Sequence, residues 1–287
     1  MVQIIANCIF ESCIILLVAL GFSLIYGTAR FFHLAHGTVF MIGGYATYIF
    51  FFLSHSFFFS IILTIIVSAS AGIFMEVFIY RYLRKRKVPS LIYLITSLGL
   101  LLIFQNVVAL LFGNETRAIA FTENTSRSYE AFGTVVTREQ IIIVFVSIFL
   151  SVLLYSFLKT RTGLSLKALS DNDFLASAMG INVDRMMILI FAIGSALAGV
   201  AGSFVGIETT IHPSMGFSGT LFAMLACIVG GLGSITGTII GAFLIGMVQS
   251  FGVAFLAPEW KDTIALGVLF IVLLAKPHGI MSKRKTF

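Results

Sequence analysis

The sequence has few charged residues and few cysteines, and these shortages exclude several classes of protein. Only 10% of the 287 residues are charged while 59% are hydrophobic, so a single soluble core could not bury the apolar surface. Cys8, Cys13 and Cys227 all lie in apolar runs without CxxC spacing, which gives neither a disulfide framework nor a thiolate metal site. The composition is that of a membrane protein.

The sequence also lacks the motifs of nucleotide binding and of hydrolytic chemistry. It contains no G-x-x-x-x-G-K-[ST], so any ATP that drives this protein must bind a separate polypeptide. No Ser/His/Asp, His-Glu-x-x-His or paired-carboxylate pattern is present, and we expect no enzyme activity and no cofactor. His33 and His36 are too few ligands for a closed metal site, so we expect no metal.

The positive charge is spread along the chain instead of forming one patch. The formal net charge is +6, yet lysine and arginine stand at the ends of apolar runs. This arrangement is explained by membrane topology, and we expect no nucleic-acid partner.

Long apolar runs predict an all-α polytopic membrane protein that forms a single domain over residues 1–287. We expect about nine transmembrane helices, with a range of eight to ten because the runs at 38–53 and 217–229 are short for a bilayer of about 30 Å. Seven of the predicted spans lie at 4–26, 38–53, 57–80, 89–112, 141–158, 186–207 and 217–229. The eighth lies within a glycine-rich run that restarts after residue 230, and the ninth lies at 263–275.

Counting lysine and arginine orients these spans. If Arg30, the cluster at 81–87, residues 159–185 and the tail lie inside, fourteen of the eighteen basic residues face the cytoplasm. The N-terminus is then outside and the C-terminus is cytoplasmic. Residues 113–140 become an extracytoplasmic loop with strand-like parts near Val135, and residues 159–185 become a cytoplasmic segment.

The segment at 159–185 is the long polar passage in an otherwise apolar second half. Ser170 and Asp173 have the spacing of a capping box, and Gly180 lies where a left-handed terminating residue is needed. Between them an apolar face is predicted at Phe174, Leu175, Ala178 and Met179. Such a short helix could dock another protein or could rest on lipid headgroups, and the pattern alone leaves both open.

Glycines and buried polar residues indicate close helix packing. Gly233, Gly237 and Gly241 recur every fourth residue, which favours a tight crossing, although a discontinuous helix at 230–236 that lines a cavity is the alternative. His36 should hydrogen-bond across a helix interface beside Gly37. Because a carboxylate in the bilayer needs a partner, Glu76 is predicted to pair with Arg81 about one turn away.

Three stretches resemble the permease subunits of ABC importers for branched-chain amino acids. Such importers pair two types of permease, and the resemblance is to the first type. The stretches are GFSLIYGTARFFHLAHGTVFMIGGY at 21–45, ALSDNDFLASAMGINVDRMMILIFAIGSALAGVAG at 168–202 and LACIVGGLGSITGTIIGAFLIG at 225–246. The tail KPHGI at 276–280 is also similar. One departure is His33, where the family often has asparagine.

The resemblance implies a function and a set of partners. The chain would be a multi-pass protein of the bacterial cytoplasmic (inner) membrane that works with a second permease subunit, two ATP-binding subunits and an extracytoplasmic solute-binding protein. A coupling helix would dock on the ATPase. The implied coupling residues are Ser170, Asp171, Asp173, Phe174, Ala178, Gly180 and Asp184, and those of packing or pathway are His36, Gly37, Gly230, Gly231, Gly233, Gly237 and Gly241. The alternative is a self-sufficient secondary transporter or channel for a small polar solute.

Overall fold

The computed structural model describes residues 1–119, 128–131, 134–255, 260–277 and 279–281. Parts of the predicted loop at 113–140 and of the C-terminal tail, and residues 256–259, lie outside these residues. The helices of the first half are α1 (Val2–Ala29), α2 (His36–Ser54), α3 (Phe57–Met75), a π-helix (Glu76–Tyr80), α4 (Arg81–Lys85) and α5 (Ser90–Phe112). Those of the second half are α6 (Arg138–Leu158), α7 (Arg161–Asp171), α8 (Asp173–Ala178), α9 (Val183–Glu208), α10 (Met215–Gly230), α11 (Ile235–Phe255) and α12 (Lys261–Ala275).

Seven of the described helical segments are long and apolar enough to cross a membrane. They are α1, α2, the continuous segment Phe57–Lys85, α5, α6, α9 and α11. This confirms the prediction of a mostly helical polytopic membrane protein. The shorter apolar helices α10 and α12 would bring the count to nine, and both that count and the orientation stay predictions.

Helix α1 lies at the centre of the bundle and packs against α6, α9, α10 and α11. Nearly every residue in its middle is buried, which explains why it is hydrophobic all round instead of amphipathic. A Cβ atom at Gly21 would lie 2.5 Å from the carbonyl oxygen of Gly194, so α1 and α9 touch backbone to backbone. The core is therefore built around α1.

Helices α2, α3 and α9 form a second tightly packed group. A Cβ atom at Gly43 would lie 2.3 Å from the carbonyl oxygen of Gly199, where α2 crosses α9. Beside this crossing, the Thr47 hydroxyl is 2.8 Å from that of Thr64 and 2.6 Å from that of Ser203. Small side chains let the backbones approach, and the hydroxyl groups satisfy one another in the apolar interior.

The glycine-rich stretch is interrupted by a turn and also packs closely. Helix α10 ends at Gly230 and α11 begins at Ile235, so the pattern is broken by a turn in which Gly231 and Gly233 have positive φ angles of 116° and 78°. The two helices then pack closely, since a Cβ atom at Gly237 would lie 2.3 Å from the Gly230 carbonyl oxygen.

The N-terminus and the loop before α6 meet at one end of the bundle. Strands β1 (Ser128–Ala131) and β2 (Thr134–Thr137) form an antiparallel hairpin. The side chain of Gln3 accepts a hydrogen bond from the Val135 amide at 3.0 Å and donates to the Val135 carbonyl at 3.2 Å. At the described start of this loop, Arg117 and Ile211 form an isolated antiparallel bridge.

Candidate functional site

The predicted coupling segment forms two helices, α7 and α8, between the spans α6 and α9. Helix α7 begins after a tight turn in which the Thr160 hydroxyl accepts a hydrogen bond from the Gly163 amide at 3.2 Å. A Cβ atom at residue 163 would lie 2.4 Å from the Phe157 carbonyl oxygen, so only glycine lets α7 fold back against the end of α6. Leu166 and Leu169 are buried and fix α7 to the bundle.

The predicted capping box at Ser170 and Asp173 is wrong. Helix α7 continues to Asp171, so Ser170 lies inside a helix and its hydroxyl donates to the Gly27 carbonyl at 2.7 Å. Asn172 has extended backbone angles, and its side-chain oxygen caps α8 by accepting from the Leu175 amide at 3.0 Å. Spacing alone could not show that a preceding helix, α7, would extend past Ser170.

Helix α8 points an apolar face away from the protein. Phe174 is 76% exposed, Leu175 56% and Met179 82%, and Ala178 is also exposed. On the opposite side Ala176 is buried. The segment ends at Gly180, whose φ angle is 85°. A fixed helix with large exposed apolar side chains is typical of a surface that a partner covers.

A small buried cluster and two sets of polar contacts hold α8 in place. Ala176 packs with Leu169 and Met187 in a cluster separate from the main core. The Arg30 guanidinium, just after α1, donates to the carbonyl oxygens of Ser170 at 2.7 Å and Asp171 at 3.0 Å. The segment is thereby tied to the end of α1.

Asp184 connects the segment to the third span. Its carboxylate lies 2.6 Å from Arg81 and 2.9 Å from Arg84, both on α4. Asp184, in the first turn of α9, therefore joins that helix to α4.

The predicted ion pair between Glu76 and Arg81 is wrong. Glu76 is fully buried and pairs with Arg84 at 2.6 Å, while Arg81 pairs with Asp184. The π-helix is the reason, because its backbone bonds run from residue i+5 to residue i and each residue turns through a smaller angle than in an α-helix. The residue eight positions after Glu76 then returns to the same face.

We expect Arg84→Met to lower the free energy of unfolding by about 3 kcal/mol, because it leaves the buried Glu76 carboxylate without its cation. Adding Glu76→Gln to this variant should restore most of the loss, since no buried charge then remains. The measurement is the midpoint of thermal unfolding of the purified chain. Unfolding is monitored as the loss of the monodisperse peak in size-exclusion chromatography after heating. Equal midpoints for wild type and Arg84→Met would contradict the prediction.

A cavity of about 290 Å³ lies between the coupling segment and the spans. Arg30, Glu76 and Arg84 line it together with Tyr93 and Asp173. Two of the residues that hold the segment in place, Arg30 and Arg84, therefore border this cavity.

The two predicted histidines lie in a buried aromatic cluster. The Nε2 atom of His36 is 3.1 Å from the Val18 carbonyl oxygen of α1, and the Nδ1 atom of His33 is 3.0 Å from the Tyr80 hydroxyl. Phe31 and Phe191 surround His33. Tyr80 was not predicted to lie beside His33, because its position depends on the π-helix. Among the described residues no group of three or more potential ligands is close enough to hold a metal.

The predicted glycines occupy three different contacts. A Cβ atom at Gly37 would lie 2.0 Å from the Gly216 carbonyl oxygen of α10, and one at Gly241 would lie 2.0 Å from that of Ala226. Gly233 lies against Gly27, the residue that accepts the Ser170 hydrogen bond. The turn between α10 and α11 therefore lies beside the coupling segment, whereas Gly37 and Gly241 lie between helices.

Comparisons with known proteins give consistent matches over nearly the whole chain. The profile of a family described as branched-chain amino acid transport system / permease component matches residues 4–273. The high-affinity branched-chain amino acid transport system permease protein LivH of Salmonella typhimurium is 32% identical over 285 residues, which cover 93% of this chain and 91% of LivH. The corresponding permease protein BraD of Pseudomonas aeruginosa is 31% identical over 288 residues, with the same shares of 93% and 91%.

One solved structure has a similar fold. A chain from PsaBC of Streptococcus pneumoniae in complex with Fab aligns with a TM-score of 0.53 over 99% of this chain and 94% of that chain. The sequence identity is 15%, so this match concerns the fold alone.

Proposed function

Since the chain belongs to the family of branched-chain amino acid transport permease components, we propose that it is the transmembrane permease subunit of an ATP-driven importer. Membership confirms the resemblance inferred from the sequence. In the proposed importer this chain and a second permease form the path for branched-chain or related amino acids. Two ATP-binding subunits supply the energy, and an extracytoplasmic protein delivers the solute.

The observation that carries this proposal is the exposed apolar face of α8. Its large side chains Phe174 and Met179 are mostly exposed, although the helix itself is capped and anchored. The chain contains no nucleotide-binding motif, so energy must reach it through contact with another polypeptide. Arg30 and Asp184 would pass a movement of α8 to α1, α4 and α9. The coupling role of Asp171, Asp173 and Gly180 is part of the same proposal.

The proposed orientation puts the coupling segment in the cytoplasm. Contacts at one end of the bundle join Gln3 to Val135 and Arg117 to Ile211, whereas contacts at the other end join Arg30 to Ser170. Most of the lysine and arginine residues that the structure describes lie toward the second end, which supports a cytoplasmic position in the bacterial inner membrane. An odd number of spans is required for the termini to lie on opposite sides, and the proposed number is nine when α10 and α12 are counted.

The intramembrane acids support an importer over a secondary transporter. Glu76 pairs with Arg84, and Glu11 pairs with Lys261 of α12. A proton relay requires an acid that can change its charge state along a path, whereas an acid matched with a nearby cation is typical of a structural role.

Copurification tests the proposed function. The affinity-tagged chain is co-expressed with the permease, ATPase and solute-binding proteins encoded beside it, and the complex is recovered after mild solubilisation. We expect a second permease and the ATPase to copurify with the chain. We also expect that solute uptake in vesicles requires both ATP and the solute-binding protein. Recovery of a single chain that transports solute without any ATPase would refute the proposal.

A further inference from the structure

The basic run at the end of the third span is divided between two faces of the helix. Arg81 and Arg84 turn toward the protein and hold Asp184 and Glu76. The next three residues, Lys85, Arg86 and Lys87, are exposed and have no ion pair among the described residues. We call these three the basic corner. Its charge is not used by the contacts that hold the coupling segment.

An exposed aromatic column leads along the same helix to the basic corner. Phe74, Phe78 and Tyr82 are spaced four residues apart and are 48%, 68% and 53% exposed. The rings of Phe74 and Phe78 are 4.8 Å apart between centroids. At the end of the column the Arg86 guanidinium lies 4.5 Å above the Tyr82 ring. Along this helix, phenylalanine side chains are followed by a tyrosine and then by cations. A bilayer has the same order, with acyl chains followed by the interface and then by the headgroups.

We propose that the basic corner binds the headgroup of an anionic phospholipid whose acyl chains lie along Phe74 and Phe78. Basic residues immediately beyond a transmembrane helix attract the negative leaflet surface, and the attraction grows with each lysine or arginine. A soluble anion would use the charges alone. A lipid uses the charges together with the exposed column, and this continuity favours the lipid.

Such a lipid would act on the same helix end that holds the coupling segment. Arg81 and Arg84 lie within one turn of Lys85, and their carboxylate partners Glu76 and Asp184 belong to the π-helix and to the start of α9. A headgroup that orders α4 would also order these ion pairs. Bound lipid therefore stabilises the attachment of α9 and the coupling segment to the third span.

Lipid retention in nanodiscs tests this proposal. The full-length chain is placed in phosphatidylcholine discs that contain phosphatidylglycerol, and the lipids kept after extraction are counted by native mass spectrometry. The variant is Lys85→Gln, Arg86→Gln and Lys87→Asn together, with asparagine at 87 because the φ angle there is 51°. The matched control removes three exposed basic residues elsewhere on the same proposed side, by Arg161→Gln, Lys167→Gln and Arg185→Gln.

We expect wild type and control to retain phosphatidylglycerol over phosphatidylcholine by about tenfold or more at low salt, and the corner variant to lose this preference. The preference of wild type should fall as salt rises. Unchanged preference in the corner variant, or an equal loss in the control, would overturn the proposal. A corner variant that keeps its lipid in the discs but loses a subunit in the copurification experiment described above would assign the surface to a protein. If the variant does not fold, equal retention of both lipids by wild type would itself refute the proposal.

Discussion

Phe174→Asp should abolish substrate-stimulated ATP hydrolysis in the assembled importer while leaving the chain inserted and folded. Phe174 is 76% exposed, so the substitution removes no contact of the main core. In the proposed complex the same side chain enters a groove of the ATPase, and a carboxylate there would be buried without a cation. Loss of such an aromatic anchor costs about 2–4 kcal/mol, which weakens docking about 30-fold or more.

The measurement is ATP hydrolysis by the complex in vesicles, with and without the loaded solute-binding protein. Phe174→Leu is the matched control, because it keeps an apolar side chain at the same place and should retain most of the stimulation. The amount of each variant in the membrane must equal that of wild type. Full stimulation of Phe174→Asp would show that α8 does not couple ATP hydrolysis to transport.

The exposed face of α8 was predictable from the sequence because it depends on local periodicity. Phe174, Leu175, Ala178 and Met179 share one side in any helix that includes them. The cap was not predictable in the same way, since Ser170 and Asn172 are both common capping residues. The choice between them depends on where α7 stops, and that is fixed by the packing of Leu169 and by the bond from Ser170 to Gly27.

The ion-pair partner of Glu76 could not be predicted from α-helical spacing. The π-helix at Glu76–Tyr80 changes which later residue lies above the carboxylate, and no strong sequence signal marks such a helix. The same change positions Tyr80 beside His33. The regular α-helical period therefore predicts neither the partner of Glu76 nor the position of Tyr80, because both depend on the π-helix.

Glycine spacing predicted one close helix contact and missed another that is equally close. The repeat at Gly233, Gly237 and Gly241 pointed to the region where α10 and α11 meet. The crossing of α2 and α9 depends on Gly43 and Gly202, which lie far apart in sequence and share no repeat with each other. A contact of this kind requires knowledge of which helices are neighbours, and a single sequence does not supply it.

Gly202→Leu should therefore have the largest effect on folding of any substitution considered. A Cβ atom at residue 202 would lie 1.9 Å from the carbonyl oxygen of Phe40 and 2.9 Å from its carbonyl carbon, so backbone atoms of α2 would have to move. Overpacking in a core costs about 1–3 kcal/mol where side chains can adjust, and a fixed backbone leaves less room to adjust. We expect little folded protein after solubilisation.

Gly99→Leu is the control for this experiment, because a Cβ atom at Gly99 meets nothing within 4 Å. Both variants remove a glycine from the interior of a spanning helix and add the same side chain, so helix propensity and hydrophobicity change equally. The yield of monodisperse chain and its midpoint of thermal unfolding then isolate the effect of the crossing. Normal yield and midpoint for Gly202→Leu would mean that α2 and α9 do not touch in the membrane, and an equal loss for Gly99→Leu would attribute the defect to glycine replacement in general.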